Sequence, residues 1–299
     1  MPHIVACTAI YKGVLPFVAD YGAAISRAIT RCSEPVEILV ALDGLGMPDE
    51  LLGALSPGIR LTCVEASNLS PARVRSHLLH AAGKLSPDVL VFTDADDMLE
   101  PDAFSQHLAA LENADFSFSD QIPVDRDGHI TGPTFFMGRD VPAEISGPEV
   151  LLDRNFVGFT ASAVRHNCLT ETARNIPGSV GAADWWFFSM LLLAGNKGQR
   201  TEKPVVRYRL HGANILGPKP DPSLASFRRR CVLAQNHYAA LPQNDATHSR
   251  LRAVNQLVEA LDATPDAWQD RIAAACAKPG VWFEDVWRLA SLFSLANNR

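Results

Sequence analysis

Three carboxylates stand close together in the first half of the sequence, directly after an apolar run. Asp94, Asp96 and Asp97 follow Val89–Thr93, which predicts a buried strand ending at these residues. In open α/β sheets ligands bind beyond the carboxyl ends of the strands, and crowded carboxylates repel one another unless a cation lies among them. We therefore expect a divalent ion, Mg²⁺ or Mn²⁺, because both prefer oxygen ligands. The alternative is that the acidic stretch only caps a helix starting near Pro101.

The elements around the acidic stretch determine what else can reach it. Short β-branched runs alternate with amphipathic segments over the first third of the chain, which is typical of βαβ units in a parallel sheet. Ser70 and Pro71 supply an N-cap and a first-turn proline for one of the intervening helices. The predicted strands are His3–Thr8, Val36–Leu42, Arg60–Val64 and Val89–Thr93. The residues that follow these strands should meet at one edge of the sheet.

The regular alternation ends after this part of the chain. Phe116–Val124 and His129–Thr131 flank Asp125–Gly128, whose Asp-Gly pair predicts a hairpin. The other predicted elements are strands at Phe159–Val164 and Pro204–Leu210, and helices at Ala182–Leu193, Leu224–Leu241, His248–Leu261, Asp266–Ala277 and Trp282–Leu295. We therefore predict an α/β fold, a mixed sheet flanked by helices, with a helical C-terminal region.

Composition excludes several classes of protein. The 299 residues are 47% hydrophobic and 20% charged, as in ordinary globular proteins, so disordered and fibrous classes are excluded. The 27 basic residues against 33 acidic residues give a net charge of −6, without a basic block that could follow a phosphate backbone. We expect no nucleic-acid partner.

The cysteines and the longest apolar run indicate where in the cell the protein is located. The six cysteines are scattered without a close pair, which indicates free thiols in a reducing environment and no zinc site. The longest nearly apolar run, Trp185–Gly195, is about half of the roughly 20 residues that a membrane-spanning helix needs. The start of the chain lacks the basic residues of a signal peptide. We therefore expect a cytoplasmic protein without a transmembrane segment.

Two known patterns fit the acidic stretch. An apolar run followed by Asp-x-Asp resembles the first motif of dehalogenase-type phosphatases, in which Asp94 would be the nucleophile and Asp96 an acid. Those enzymes usually carry the motif on their first strand, whereas here it follows the fourth. They also usually have Thr or Val where this chain has Met98. Both differences disfavour this alternative.

The second pattern is that of the family 2 glycosyltransferases of the GT-A fold, whose fourth strand ends in a similar Asp-x-Asp-Asp. Several other segments resemble that family in the family's own order. They are Thr8-Ala9-Ile10-Tyr11, Asp43-Gly44, Ala72-Arg73, Asp94-Ala95-Asp96-Asp97, Ala183-Asp184-Trp185 with Leu191–Gly195, and Tyr208-Arg209-Leu210-His211 with Asn214. The resemblance extends from about His3 to Asn214, and it implies an enzyme that transfers a sugar from a nucleoside-diphosphate sugar.

The resemblance also implies how the donor is bound. Asp96 and Asp97 would hold the divalent ion that stabilises the departing diphosphate, and His211 would complete its ligands or touch the diphosphate. His211 could equally be an ordinary polar residue in a loop. The remaining donor-binding residues implied are Thr8, Ala9 and Tyr11 of the nucleotide loop, Asp43 at the nucleobase, Arg73 at the diphosphate and Asp94 at the ribose or behind the metal ligands.

On the acceptor side, an inverting enzyme needs a carboxylate that takes the proton of the acceptor hydroxyl. Asp184 is the candidate general base, because it precedes an apolar helix whose surroundings should raise its pKa. The alternative is that Asp184 is an ordinary N-cap. Trp185 and Trp186 offer flat surfaces suited to stacking a saccharide acceptor, although at least one should belong to the core.

We predict a glycosyltransferase domain over residues 1–217, with a nucleotide-binding half (1–100) and an acceptor half (101–217), and a helical region over 218–299. In that region Trp282, Val286, Leu289 and Phe293 recur at helical spacing, so they should either cover the catalytic domain or pair with a second subunit. Arg228–Arg230 should be a solvated face or reach an anionic substrate. A nucleotide-sugar-binding protein with a degenerate site is the non-enzymatic alternative, and the sequence names neither the sugar, the nucleotide nor the acceptor.

Overall fold

The structure is a computed structural model that describes residues 1–211 and 220–296. Its strands are β1 (Ile4–Ile10), β2 (Val36–Leu42), β3 (Arg60–Glu65), β4 (Val89–Phe92), β5 (Met98–Leu99), β6 (Phe116–Phe118), β7 (Gln121–Val124), β8 (Glu144–Ser146), β9 (Ser162–Arg165), β10 (Lys197–Arg200) and β11 (Val206–Arg209). Its α-helices are α1 (Val18–Arg31), α2 (Asp49–Ala54), α3 (Pro71–Lys84), α4 (Ala103–Leu111), α5 (Glu171–Arg174), α6 (Ala183–Leu193), α7 (Leu224–Ala240), α8 (Asp245–Ala263), α9 (Gln269–Ala277) and α10 (Glu284–Ala296). The last motif of the resemblance, Tyr208–His211 with Asn214, is called the closing motif below. Its Asn214 and the domain boundary expected after residue 217 lie outside the described residues.

Eight strands form one mixed sheet in the order β3-β2-β1-β4-β9-β6-β10-β8. The neighbours β3, β2, β1 and β4 pair in parallel, whereas β9 runs antiparallel to β4 and β6. After β1 the chain adds β2 and β3 on one side and β4 on the other, so the winding reverses at β1. Ligands of open α/β sheets bind at such a point, beyond the carboxyl ends of the strands. The predicted fold class, a mixed sheet flanked by helices, is confirmed.

Side chains that alternate along the central strands build two cores. Val5 and Cys7 of β1 belong to a large core that also contains residues of α3, α6 and the C-terminal helices. Ile4 and Ala6 belong to a smaller core that contains residues of α1, α2 and α4. This alternation is the period of two that a strand imposes. The large core therefore joins the helix that carries Asp184 to the C-terminal region.

A second sheet of three strands, with β11 between β5 and β7, closes one side of the site. β5 begins at Met98, directly after Asp97, and pairs antiparallel with β11 through Leu99 and Val206. β11 ends at Arg209, two residues before His211. This pairing brings the closing motif of the sequence beside the acidic stretch.

The segment Phe116–Val124 is divided between β6 and β7, which lie in different sheets, so the prediction of one continuous strand was wrong. The carboxylate of Asp120 accepts a hydrogen bond from the backbone N–H of Gln121 (2.7 Å), which stabilises a bend between the two strands. The expected return strand of the hairpin contributes only one bridge, between Val124 and Ile130. The predicted Asp-Gly turn is therefore present, with the backbone N–H of Asp125 donating to the carbonyl of His129 (2.9 Å), but its return segment is too short to form a strand.

The C-terminal helices pack against the rest of the chain. Val286 and Leu289 are buried in the large core, and Trp282 and Phe293 are partly buried against it. This stripe therefore covers the chain's own core, as one of the two interpretations expected. Pairing of two subunits through these helices stays a prediction and would have to use their outer faces.

The three consecutive arginines at the start of α7 have different environments, and none of them lines the cavity described below. Arg229 is exposed, and Arg228 forms a half-exposed ion pair with Asp262. Arg230 is buried and its guanidinium lies 2.8 Å from the carboxylate of Asp285 on α10. The side chains of this last pair are only 5% and 4% exposed, so the charges are withdrawn from water on both sides.

We expect the substitution Asp285→Asn to lower the free energy of unfolding by about 3–5 kcal/mol, because it leaves the buried guanidinium of Arg230 without a counter-charge. Denaturant unfolding measures this loss. Asp262→Asn is the matched control, since it breaks the exposed pair with Arg228 and should cost less than about 1 kcal/mol. Equal losses in the two variants would show that burial of the Asp285 pair is not important for stability.

Candidate active site

A cavity of about 360 Å³ opens where the winding of the sheet reverses. The ends of three parallel strands supply part of its wall, through Ala9 near the end of β1 and Tyr11 directly after it, Asp43 after β2 and Asp94 after β4. Asp96 and Asp184 line the same cavity. Six of the residues expected to form the site are therefore brought together around one space.

The acidic stretch forms a compact cluster at this cavity. Ligand atoms of Asp94, Asp96 and Asp97 all lie within 4.8 Å of one another. Burial raises the pKa of Asp96, and the charge of Asp94 raises it further. Burial and then the charges of Asp96 and Asp94 raise the pKa of Asp97 well above its usual range. The ionised cluster is thus costly without a cation, as the sequence indicated.

Hydrogen bonds fix each member of the cluster differently. Asp97 is 1% exposed, and its two carboxylate oxygens accept from the hydroxyl of Thr160 (2.7 Å) and the backbone N–H of Arg209 (2.8 Å). A carboxylate oxygen of Asp96 lies 2.8 Å from Nε2 of His211. Asp97 and His211 therefore support the cluster from outside the lining of the cavity.

Arg209 holds the acidic stretch in place from behind. This side chain is 1% exposed, and its Nε donates to the backbone carbonyl of Asp96 (2.8 Å). A terminal guanidinium nitrogen bonds the carboxylate of Asp20 on α1 (2.9 Å), and the group lies 4.8 Å from the ring centre of Phe17. The closing motif of the sequence thus contributes its arginine as a rigid support for the acidic loop.

Arg75, rather than Arg73, faces the cavity. Arg75 lines it, forms an ion pair with Asp94 and lies 5.0 Å from the ring centre of Phe159. Arg73 is exposed and lies outside the lining, so the structure corrects the expectation that it meets the diphosphate. The physical reason is the phase of α3. The helix begins at Pro71, which also lines the cavity, and residues four apart share a helix face.

The nucleotide loop is shifted relative to the sequence prediction. β1 continues to Ile10, two residues beyond the predicted end, so Thr8 is fully buried within the strand and does not line the cavity. Ala9 and Tyr11 do line it. Burial raises the pKa of Tyr11 to about 12, and the charges of Asp96 and Asp94 add to this effect. The phenol therefore stays protonated and can donate a hydrogen bond.

Asp184 lies in the first turn of α6. The helix begins at Ala183 with Ala182 at the N-cap, so the N-cap interpretation of Asp184 is wrong. Its carboxylate accepts from the backbone N–H of Trp185 (2.7 Å). Burial raises the pKa of Asp184 to about 6, with a further increase from Asp94 that is opposed by this N–H and by Arg75. A carboxylate with such a pKa is a stronger base than an exposed one.

Trp185 and Trp186 do not form an acceptor surface, which corrects the sequence prediction for both. They are 1% and 3% exposed, and their indole N–H groups donate to the backbone carbonyls of Leu151 (2.6 Å) and Ala240 (3.1 Å). Because α6 is apolar on every face, the side chains that follow Asp184 are buried in the large core. A different tryptophan, Trp282 from the C-terminal region, lines the cavity.

Several residues of the site were not found from the sequence. Arg75 had no signal that separates it from Arg73, because the sequence does not show which face of α3 meets the cavity. Gln121, Gly158 and Thr160 had none, because they come from segments without a motif, and the expected strand Phe159–Val164 begins as a 3₁₀ helix over Phe159–Ala161. Their positions follow only from the folded chain.

The fold is similar to that of GT-A glycosyltransferases of known structure. The crystal structure of S. aureus TarS residues 1–349 with UDP-GlcNAc has a TM-score of 0.57 at 14% identity, covering 85% of this chain and 71% of that one. A mannosyltransferase from Pyrobaculum calidifontis in complex with GDP-Man and Mn²⁺ has a TM-score of 0.55 at 15% identity, covering 100% of this chain and 88% of that one. At such identities the similarity establishes the fold.

Comparisons at the sequence level add nothing to this result. No protein-family model matches the chain, and the curated proteins contain no match. Over residues 1–211 and 220–296, no helix is both long enough and apolar enough to cross a bilayer.

Proposed function

We propose that this protein is a metal-assisted, inverting glycosyltransferase that moves a sugar from a nucleoside diphosphate to an acceptor hydroxyl. The observation that carries the proposal is the convergence of Asp43, the Asp94–Asp97 cluster, Arg75 and Asp184 on one cavity at the switch point of a GT-A sheet. The motifs similar to family 2 glycosyltransferases support the same reaction class. Solved structures of similar fold are complexes with UDP-GlcNAc and with GDP-Man and Mn²⁺.

The acidic cluster fits a divalent cation. Its carboxylates are close enough to share an ion, and burial together with mutual repulsion raises the pKa of Asp96 and Asp97, a cost that a cation would relieve. The sequence assigned the ion to Asp96, Asp97 and His211; because Asp96 and Asp94 line the cavity, we assign it to these two, with Asp97 and His211 held against the cluster by their hydrogen bonds. A bound Mg²⁺ or Mn²⁺ would neutralise charge on the departing diphosphate.

Other side chains of the cavity can bind the nucleoside, bind the diphosphate and take the acceptor proton. Asp43 and Tyr11 suit the nucleoside, since they follow the first two strands and offer a hydrogen-bond acceptor and a donor. Arg75 brings a positive charge to the diphosphate from its position beside Asp94. Asp184 takes the proton of the acceptor hydroxyl as the acceptor oxygen bonds to the anomeric carbon. The bond from that carbon to the diphosphate breaks on the opposite face, which inverts the configuration.

Calorimetric titration of the protein with UDP and GDP, each with Mn²⁺ and with a chelator, tests the proposal. We expect at least one nucleotide to bind, and to bind at least ten times more tightly with Mn²⁺, because metal and diphosphate share the acidic cluster. Binding of neither nucleotide would contradict the proposal. Release of phosphate from simple phosphomonoesters without any nucleotide binding would favour the phosphatase alternative.

A further inference from the structure

Trp282 brings an aromatic surface from the C-terminal region into the cavity. Its ring centre lies 4.8 Å from that of Phe135, and a β-carbon placed on Gly158 would be 3.6 Å from the edge of its indole. Gly158 and Trp282 both line the cavity, and a β-carbon on Gly158 would be in van der Waals contact with the indole edge, so the two residues are adjoining parts of the wall around one space. Flat apolar surfaces of this kind stack against the C–H face of a sugar ring.

The amide of Gln121 points at the same space. Gln121 is 2% exposed and lines the cavity, and its side-chain nitrogen has no hydrogen-bond partner among the described residues. This nitrogen would lie 3.3 Å from a β-carbon on Gly158. A buried amide without a partner costs free energy, which a ligand hydroxyl in this space would recover.

The backbone around Trp282 is held in a conformation that costs energy. Phe283 has a φ of +71°, in the left-handed region that favours glycine. Its ring stacks 4.4 Å from that of Trp185, the neighbour of Asp184, while Trp282 reaches the cavity. The backbone N–H of Asn155 donates to the carbonyl of Trp282 (2.8 Å), which fixes the segment from the other side. Strained residues of this kind are frequent at functional sites.

Three consecutive residues connect this space to the candidate active site. Gly158 lies beside the side chains of Trp282 and Gln121. The ring of Phe159 packs against the guanidinium of Arg75, and the hydroxyl of Thr160 donates a hydrogen bond to the carboxylate of Asp97. Two residue steps span at most about 7 Å between Cα atoms, so this short segment joins the space to the groups that support the acidic cluster.

We propose that Trp282, Gln121 and Gly158 form a subsite that binds one pyranose ring of a saccharide acceptor. The assignment of this ring to the acceptor, and not to the donor, rests on the proposed function. None of the three residues carries a charge, which suits a neutral ring and not the diphosphate of the donor. The indole stacks on the ring, the amide bonds a hydroxyl, and Gly158 presents no side chain to the ring where it lines the cavity.

Saturation-transfer NMR with the methyl pyranosides of glucose, galactose, mannose and N-acetylglucosamine tests the subsite directly. We expect at least one of them to bind the wild-type protein and to bind at least tenfold more weakly to Trp282→Ala and to Gly158→Ala. Trp282→Phe should retain most of the binding because it keeps an aromatic face. Trp287→Ala and Gly132→Ala are matched controls, since neither residue lines the cavity and a β-carbon on Gly132 would meet nothing within 4 Å.

Titration of the same variants with UDP or GDP and Mn²⁺ separates the two proposals. Nucleotide affinity should be unchanged in all of them. Absence of nucleotide binding in the wild-type protein would overturn the proposed function and leave the pyranoside result to decide the subsite. Failure of all four pyranosides to bind, or equal binding to wild type and Gly158→Ala, would overturn the subsite. The backbone of Gly158 (φ −90°) accepts alanine, so the test of the subsite does not depend on the folding of Trp282→Ala.

Discussion

Asp184→Asn should lower the turnover number by roughly 10²–10⁴-fold, the contribution of a positioned acid–base group, while the affinity for the nucleotide sugar stays unchanged. The amide retains the shape of the carboxylate and can accept the Trp185 N–H, but it cannot take a proton from the acceptor. Because burial raises the pKa of Asp184 to about 6, the ionised form at neutral pH is disfavoured in the folded state. The melting temperature of the variant should therefore stay constant or rise.

The pH profile of the wild-type enzyme provides the second readout for Asp184. A base with a pKa of about 6 must be ionised to act, so kcat/KM should fall about tenfold per pH unit below pH 6. The residual activity of Asp184→Asn should lack this decrease. Asp245→Asn is the matched control, since Asp245 occupies the first turn of α8, is exposed and lies outside the cavity. Turnover near that of wild type in Asp184→Asn would remove this residue from the mechanism.

Asp96→Asn should weaken Mn²⁺-dependent binding of the nucleotide diphosphate by about 100-fold or more. Asp96 lines the cavity within the acidic cluster, and replacing it removes a negative charge from the ligand set. Asp97→Asn and Thr160→Val change groups that support the cluster, and such changes typically cost roughly 10–100-fold in metal affinity. Calorimetry with and without a chelator distinguishes the metal-dependent part of the binding in each variant.

Asp127→Asn is the control for this series, because Asp127 belongs to a second acidic group, Asp125–Asp127–His129, that lies outside the cavity. It should leave nucleotide affinity unchanged. If Asp96→Asn bound as tightly as this control in the presence of Mn²⁺, the acidic cluster would not be the metal site. A loss that is equal with Mn²⁺ and with chelator would contradict the proposed sharing of the ion by protein and diphosphate.

The sequence was sufficient to predict the position of residues that directly follow a buried strand. Asp43 and Asp94 follow apolar runs whose ends are visible in the sequence, and parallel strands bring such ends to one edge. Asp184 lines the same cavity, at the start of the helix that the apolar run after it predicts, and its role as a base stays a prediction. The sheet and the polar edge of the site could thus be predicted from local patterns.

The sequence was not sufficient where the direction of a side chain matters. Arg73 and Arg75 are two positions apart on one helix, and only the contacts of α3 decide which faces the cavity. Trp185 was expected at the acceptor surface and Trp282 over the core or at a subunit contact, and both expectations depended on the direction of a side chain. The first is buried by packing of α6 against the large core, and the second reaches the cavity from a distant segment. Such long-range packing has no local signature in the sequence.

The dependence of the cavity on Trp282 has a consequence for the order in which the protein becomes competent during its synthesis. The ribosome releases Trp282 about 190 residues after Asp96, which at roughly 5–20 residues per second is a delay on the order of ten seconds or more. The strand ends around Asp43 and Asp94 can already be in place by then, but the wall opposite Gly158 cannot. The wall of the cavity is therefore completed only late in synthesis, after the C-terminal region that carries Trp282 has emerged.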